Sequence, residues 1–451
     1  MAATGTTSGN TQTTAIGIMK DFYRDGKAID TSYEKHVLWA LMTKTRAVPK
    51  VGGSAFVHSI IFADSAGDAS GIITAANTTN NPTAAQGFAY AQQAGGSTGI
   101  QSVEFFTTRY QNNKDFSLST EVILSSDGPR NAFESAVVAQ SQTAVRWLGN
   151  RQDIFMHGTG TGVIGQIATT TTIGSSTIQL TNASDAVKFK PGMELDLCSA
   201  LTGSAPRAYG TNVHGCYVGS VDKTAGTLTT VVSQSQGAAT CNINDAANGI
   251  PGAATGDYIF ARTDYNNVIS GVEAWIPYGG PTSTLFYGVN RTLGDVQALA
   301  GSWMNASQKS VEEYFIDASI QQARVATEGL THFIMPWGQW GQLAKSGTAR
   351  EPVVQETDMT VSFNGVEVLT PDGPATALFS RNCPTNRVYG VNIDTFEFTH
   401  LAEPIKLWDY DGVGGLRQPL ADGMEYRMFS FGNVVCHQPQ NNITLLVSGT
   451  N

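Results

Sequence analysis

The sequence predicts an α+β fold with several domains and an added all-β segment, and three observations predict it. Residues 127–157 read as one long helix, residues 163–262 change to Thr, Gly, Val and Ala with β-type turns, and residues 359–435 carry strand patterns separated by Pro and Gly. At 451 residues, 41% of them hydrophobic, the chain is long enough for two or three domains with buried cores.

The elements follow in order. Residues 1–14 are mostly Thr, Ser, Gly and Ala and read as extended or disordered, after which Thr31-Ser32-Tyr33-Glu34 forms a capping box opening a short helix to about Lys44. Val37, Leu38, Leu41 and Met42 give it one apolar face. Seven cations (Lys20, Arg24, Lys27, Lys35, Lys44, Arg46, Lys50) against four carboxylates make residues 20–50 basic within an acidic chain. Phe56 to Phe62 reads as a strand, and alternation from Phe116 through Leu118, Thr120 and Val122 to Leu124 as another. Between them residues 63–100, rich in Gly, Ala, Thr, Asn and Gln, are too long for an ordinary loop; an extended two-stranded projection would account for them.

Asp127-Gly128-Pro129 supplies an N-cap and an early proline for the long helix, which would span roughly 45 Å. Phe133, Val137, Ala144, Leu148 and Phe155 fall near one stripe, leaving Gln140, Gln142, Arg146 and Arg151 for other faces. Gly158, Gly160 and Gly162 end it. In the all-β segment, 217–222 and 227–232 flank a turn as a hairpin, and Pro191-Gly192 turns into a strand over 193–197. Ser310-Val311-Glu312-Glu313 is a second capping box, with Gly329 as its helix stop; 332–335 reads as a short buried strand, Pro336 to Leu343 as a helix, and 359–369, 387–398 and 426–435 as strands.

Composition narrows the function. A net charge of −10, from 27 basic and 37 acidic residues, repels phosphate and argues against sequence-specific nucleic-acid binding. Charged residues make up only 14% of the chain and glycines number 48, so much of the outer surface is neutral, a solubility liability unless neighbouring subunits cover it. No run of eighteen apolar residues and no export signal is apparent, and five widely spaced cysteines (Cys198, Cys216, Cys241, Cys383, Cys436) fit synthesis in a cytoplasm better than a disulfide scaffold.

Tempting sites are weaker than their bland readings. The gaps among Cys198, His214, Cys216 and Cys241 match no CxxC or zinc-finger spacing, so packing residues are expected rather than a metal site or disulfide. Asp409-Tyr410-Asp411-Gly412 begins like a calcium loop but lacks the later ligands. The glycines at 158, 160 and 162 follow a helix instead of leading into one and lack a following Gly-Lys-Ser/Thr, so they are no phosphate cradle. Seven scattered histidines (36, 58, 157, 214, 332, 400, 437) accompany no Gly-x-Ser-x-Gly or His-Glu-x-x-His motif. Trp337 and Trp340 could stack on a sugar, but core packing is the expectation. No catalytic, cofactor-binding or metal residue is therefore assigned, and no enzyme is expected.

The order of basic arm, long excursion, long helix, then alternating helices and strands resembles the major capsid proteins of tailed phages, the Hong Kong ninety-seven type fold. Leu330-Thr331-His332-Phe333-Ile334-Met335-Pro336 with Trp340 and Leu343 looks like the strand and helix of that family's axial domain. Phe363-Asn364-Gly365-Val366-Glu367-Val368, Asn386-Arg387-Val388-Tyr389-Gly390-Val391-Asn392, and 429–436 with Pro439 resemble its returning strands.

The resemblance implies an N-terminal arm (1–50), an extended β-hairpin loop (51–124), a peripheral domain with its spine helix (125–162), an inserted β domain (163–262), an axial domain (263–350) and returning axial and peripheral strands (351–451). It further implies self-assembly into hexamers and pentamers of an icosahedral shell around double-stranded DNA, built in the host cytoplasm, with a separately encoded scaffold or none, a portal and a decoration protein as partners, and no membrane. The competing readings are a β-rich decoration or tail protein, which needs no thirty-residue helix, and a carbohydrate-active protein, which should show an export signal and paired carboxylates.

Overall fold

The computed structural model describes residues 36–46, 55–63, 101–121, 136–212, 214–233, 239–346, 353–354, 364–401, 405–407, 415–418 and 422–449. The chain is α+β and rich in sheet. The start of the long helix, the calcium-like Asp409-Tyr410-Asp411-Gly412, and most of the 63–100 excursion lie outside the described residues.

One six-stranded sheet is organised by the 14-residue strand Gly423–Cys436. Tyr110–Ser119 pairs antiparallel with its first ten residues, Phe396–His400 pairs with residues 432–436, and Thr43–Arg46 adds in parallel outside that strand. The predicted strand from Phe116 to Leu124 thus begins earlier. Polar residues 111–115 hide it from periodicity, yet the ladder with the long partner holds them extended, with Asn112 buried. The predicted helix to Lys44 is likewise shorter. Its described helix is Val37–Leu41, and β-branched Thr43 opens the parallel pairing. Lys44 turns back over the Trp39 ring at 4.7 Å and donates to the Trp39 carbonyl at 2.5 Å, satisfying a carbonyl of the last helical turn.

The described helix Ala136–Met156 lies on this sheet. Ala144 and Leu148 pack with Met428, Phe116 and Trp147, while Phe155 and Met156 enter the largest core. Near its end Asp153 is fully buried and accepts the Asn382 amide at 2.7 Å.

A seven-stranded mixed sheet runs in the order 302–305, 443–446, 387–391, 332–335, 373–379, 364–370, 353–354. Helices Val311–Ala323 and Trp337–Lys345 cover it, burying Tyr314, Phe315, Phe333 and Leu343. Ser310 caps the first of these, its hydroxyl accepting the Glu313 N–H at 3.3 Å. That helix ends at Ala323 and not at Gly329, because the buried Asn441 side-chain Oδ1 takes the N–H groups of Thr327 (3.0 Å) and Glu328 (3.4 Å) and draws the chain off the helical path. Gly329 serves close packing instead, since a Cβ there would meet Asp372 at 2.5 Å. The predicted strand 387–398 is two strands in two sheets. A 3-10 turn over Ile393–Thr395, capped by Asn392, makes the corner between them.

Residues 163–261 form a second six-stranded sheet, ordered 163–166, 258–261, 194–198, 216–222, 227–231, 177–179. Its ends meet. Ala168 N–H donates to Gln179 O (2.8 Å) and Thr181 N–H to Gln166 O (2.9 Å), joining the two end strands and closing the sheet into a small antiparallel barrel. Ile164, Ile178, Leu195, Leu197, Val218, Leu228 and Ile259 fill its interior. Chain entry and exit lie side by side: Asn266 N–H donates to Thr161 O at 2.8 Å, and Gly160 and Gly162 (φ +83° and +87°) allow residues 264–270 to approach closer than any side chain would permit.

Cys216 and Cys241 form a disulfide in this barrel, which corrects the expectation that the cysteines there only pack. Spacing arguments built on metal motifs could not see it, because the barrel brings together two positions 25 residues apart. Closing a loop of that length is worth about 3 kcal/mol. Reduction, or Cys216→Ser with Cys241→Ser, is therefore expected to lower the unfolding free energy by that amount, read by denaturant titration with and without reductant.

Candidate assembly surfaces

One feature that exposes apolar side chains is the hairpin of Ala55–Ala63 and Gln101–Thr108, paired antiparallel with Val57 opposite Phe106, His58 opposite Phe105 and Ser59 opposite Glu104. Strand alternation gives it two faces. The inner face buries Ile60, Phe105 and Thr107; the Phe105 ring lies 5.4 Å from Trp275, and Phe62 packs against Gly294. The outer face presents Val57, Ile61 and Phe106, which are 55%, 66% and 50% exposed. Sequence reading found the first strand; the second, which begins just after the 63–100 excursion, was not assigned.

The seat of the hairpin is polar at two points. Asn433, fully buried in the long strand, donates to the Thr108 carbonyl and the Tyr287 hydroxyl, each at 2.7 Å, and accepts the Ser270 N–H at 2.9 Å. The Phe106 N–H donates to the Tyr287 carbonyl at 3.0 Å. His58 stacks on Phe105 at 5.2 Å, with His437, itself 3.1 Å from Glu397, edge-on to it. Burial first, then repulsion from His437, lowers the His58 pKa to about 4, so it is neutral at physiological pH.

Other apolar residues face outward in pairs at helical spacing: Val138 and Val145 on the long helix, and Ile316 and Ile320 on Val311–Ala323. Trp337 is 55% exposed, against the expectation of core packing. It touches Phe379 at 5.3 Å while Trp340 takes the more sheltered side of that ring.

A groove of about 440 Å³ lies between the long helix, strand Tyr110–Ser119 and the barrel. Phe116 and Trp147 form its apolar wall, and Lys114, Arg151, Lys190 and Arg262 bring positive charge. Arg151 pairs with Asp264 and Arg262 with Glu194. Burial raises the Asp264 carboxyl to about 6 against the pull of Arg151, and its Oδ2 has no hydrogen-bond partner. Sequence reading placed Arg151 away from the apolar stripe, which is consistent with this groove, but nothing in the sequence linked it to residues 114, 190 and 262.

For the sites weighed from sequence, the structure leaves His214 exposed and Cys198 a buried thiol whose pKa burial raises to about 11. Among the described residues no group of three His, Cys, Asp or Glu is placed to hold a metal ion. The glycines at 158, 160 and 162 lie at the stem of the barrel.

No family model matches the sequence and no curated protein matches it. Solved structures do match its fold. A chain of the cyanophage A-1(L) capsid asymmetric unit aligns with TM-score 0.50 and 10% identity over 95% of this chain and 97% of that one. A chain from Gordonia phage Cozz aligns with TM-score 0.41 and 10% identity over 97% and 93%, and the SrpI encapsulin of Synechococcus elongatus PCC 7942 with 0.42 and 7% over 94% and 94%. The fold of this chain is the capsid fold of tailed phages.

Proposed function

We propose that this chain is the major capsid protein of a tailed bacteriophage, a non-enzymatic shell subunit that assembles with its own copies into hexamers and pentamers around double-stranded DNA. The observation that carries the reading is the hairpin, seated firmly by its inner face and apolar on its outer one. An element held in place while its far side offers Val57, Ile61 and Phe106 to water is suited to cover a neighbour. At about 25 cal/mol per Å², roughly 600 Å² of such contact contributes a gross ~15 kcal/mol, from which the costs of association are subtracted. The sparse charge of the chain agrees with a surface shared among subunits.

In this reading residues 1–50 are the arm, 51–124 the extended loop, 125–162 the peripheral domain with its spine helix, 163–262 an inserted barrel, 263–350 the axial domain and 351–451 the returning strands. A separate scaffold, a portal and a decoration protein are its partners, contact with DNA is non-specific, and the shell is built in the host cytoplasm before residing in the virion.

The test is electron microscopy of the full chain produced with its candidate scaffold. Closed particles with six-fold capsomers are expected, and Phe106→Asp with Val57→Asp should raise the concentration needed for assembly at least tenfold with unchanged melting. Only small monodisperse species in the presence of the scaffold would sink the reading and turn attention to a decoration or tail component.

A further inference from the structure

The face by which the hairpin meets the body of the chain contains one titratable ring that no partner satisfies. His58 sits between Phe105 (5.2 Å, stacked), Trp275 (5.3 Å) and His437 (5.7 Å, edge-on). Both of its ring nitrogens are shut from water, and among the described residues neither has a hydrogen-bond partner. A neutral imidazole in such a place is tolerable, because its faces stack on aromatic rings. A protonated one is not, since it brings a charge and two N–H donors to a site with no acceptor placed for them. The other polar anchors of the hairpin, the Asn433 amide on the Thr108 carbonyl and the Phe106 N–H on the Tyr287 carbonyl, carry no titratable group.

The charges around His58 do not compensate it. Its own strand has no other ionisable side chain, and Glu104 of the paired strand stands opposite Ser59 on the outer face. From the body come His437 and Glu397, but that carboxylate is already engaged by His437 at 3.1 Å and by the Thr399 hydroxyl at 3.0 Å. Arg291 lies 4.0 Å over the Phe286 ring, which itself meets Trp275 at 5.0 Å, and adds a cation to the same aromatic group. Glu273 is held by Arg387 and Tyr389, and Asp295 accepts the N–H groups of Gln297 and Ala298. Burial first, then His437, holds the His58 pKa at about 4, against the weaker pull of Glu397 and the Cys436 backbone.

We propose that His58 is an acid-sensitive latch, and that protonation of its sealed ring lifts the hairpin off the body while the rest of the chain stays folded. The device lies within one copy, so it stands apart from the shell-subunit reading. Topology lets the hairpin move as a unit, because its two strands pair only with each other and no ladder of the larger sheets breaks when it lifts. The sign follows from linkage. The ring binds its proton less tightly when the hairpin is seated than when it is free, so the seat is complete above the free value of 6.5 and is lost as pH falls toward 4. Relative to pH 8, the opening equilibrium should rise about 30-fold at pH 5 and about 150-fold at pH 4.

The test is amide hydrogen exchange of the full chain as dispersed single copies, corrected for the intrinsic effect of pH, with barrel strands 194–198 and 216–222 as the internal reference. Residues 55–63 and 101–108 of the parent should lose about 100-fold of their protection between pH 7 and pH 4 while the barrel keeps its own. His58→Phe keeps a ring in the stack and removes the proton site, so it should match the parent at pH 7 and abolish the loss in acid. His437→Gln should shrink the loss without abolishing it, because burial is the larger cause. A hairpin equally protected at pH 7 and pH 4 overturns the latch, as does a His58→Phe variant that opens in acid like the parent. Hairpin and barrel losing protection together in the parent would be acid unfolding of the whole chain and overturns it too. Where His58→Phe does not fold, the His58 resonance of the histidine-labelled parent decides: titration near 4 supports the latch, and titration near 6.5, the value of a solvated ring, overturns it. None of these readings depends on assembly, so a chain that forms no shells leaves the latch standing.

Discussion

Replacing Asn433 with alanine is expected to lower the unfolding free energy by about 4 kcal/mol and to loosen the hairpin before the rest of the chain. The side chain is fully buried, and its amide joins four places far apart in sequence: the exit of the hairpin at Thr108, the start of the next segment at Ser270, the Tyr287 hydroxyl, and its own long strand. Truncation leaves the buried Ser270 N–H without this partner and takes a donor from the part-buried Thr108 carbonyl; a buried orphan costs about 1–3 kcal/mol. Removing the carboxamide also adds a cavity term. The Ser270 and Tyr287 hydroxyls, 2.6 Å apart, would retain each other, which keeps the total below the sum of single losses. Denaturant titration reads the size of the effect, and amide exchange across residues 101–108 reads its place. A loss under about 1 kcal/mol would show that water replaces the side chain and that the hairpin is held by its apolar face alone.

The contrast between these two kinds of anchor explains what could be read from sequence. Ser310 with Glu313, Pro336 before its helix, and the hairpin of 216–222 with 227–231 each announce themselves within a few residues, because the physics that forms them is local. The early helix end at Ala323 depends on Asn441, more than a hundred residues away, and the corner at Ile393–Thr395 depends on which of two sheets each flank joins. Those facts are tertiary, and local patterns carry no trace of them. Tyr110–Ser119 is the clearest case, since Gln111, Asn112, Asn113, Lys114 and Asp115 read as loop until the partner strand is known. The cysteine pair and the groove failed for the same reason. Cys216 meets Cys241 only after the barrel closes, and Lys114, Trp147 and Lys190 come from three separate elements.

Arg151→Ala should have a comparably large effect, with a dependence on pH that identifies its cause. Arg151 joins the long helix to the loop leaving the barrel through Asp264, whose side chain is only 3% exposed. Removing the cation leaves a buried carboxylate unpaired, a change that costs about 3–5 kcal/mol, and it also strips the guanidinium from the Trp147 and Phe155 rings. Burial already raises the Asp264 carboxyl from 3.8 to about 6 with Arg151 present, so without it the folded pKa rises further. A carboxyl whose folded pKa lies above its unfolded value binds its proton more tightly in the fold. Its favourable contribution is complete below the unfolded value and is lost as pH rises through the folded one. The deficit of the variant should therefore be about 4 kcal/mol at pH 8 and shrink to about 2 kcal/mol at pH 5, where the folded carboxyl is neutral and only packing remains lost. Arg151→Lys should recover part of the deficit at pH 8, because an ammonium supplies the charge but not the planar guanidinium that lies over the Trp147 and Phe155 rings. A deficit that stays constant between pH 5 and pH 8 would mean that Arg151 acts through its contacts with the two rings, and that water reaches Asp264 in the variant.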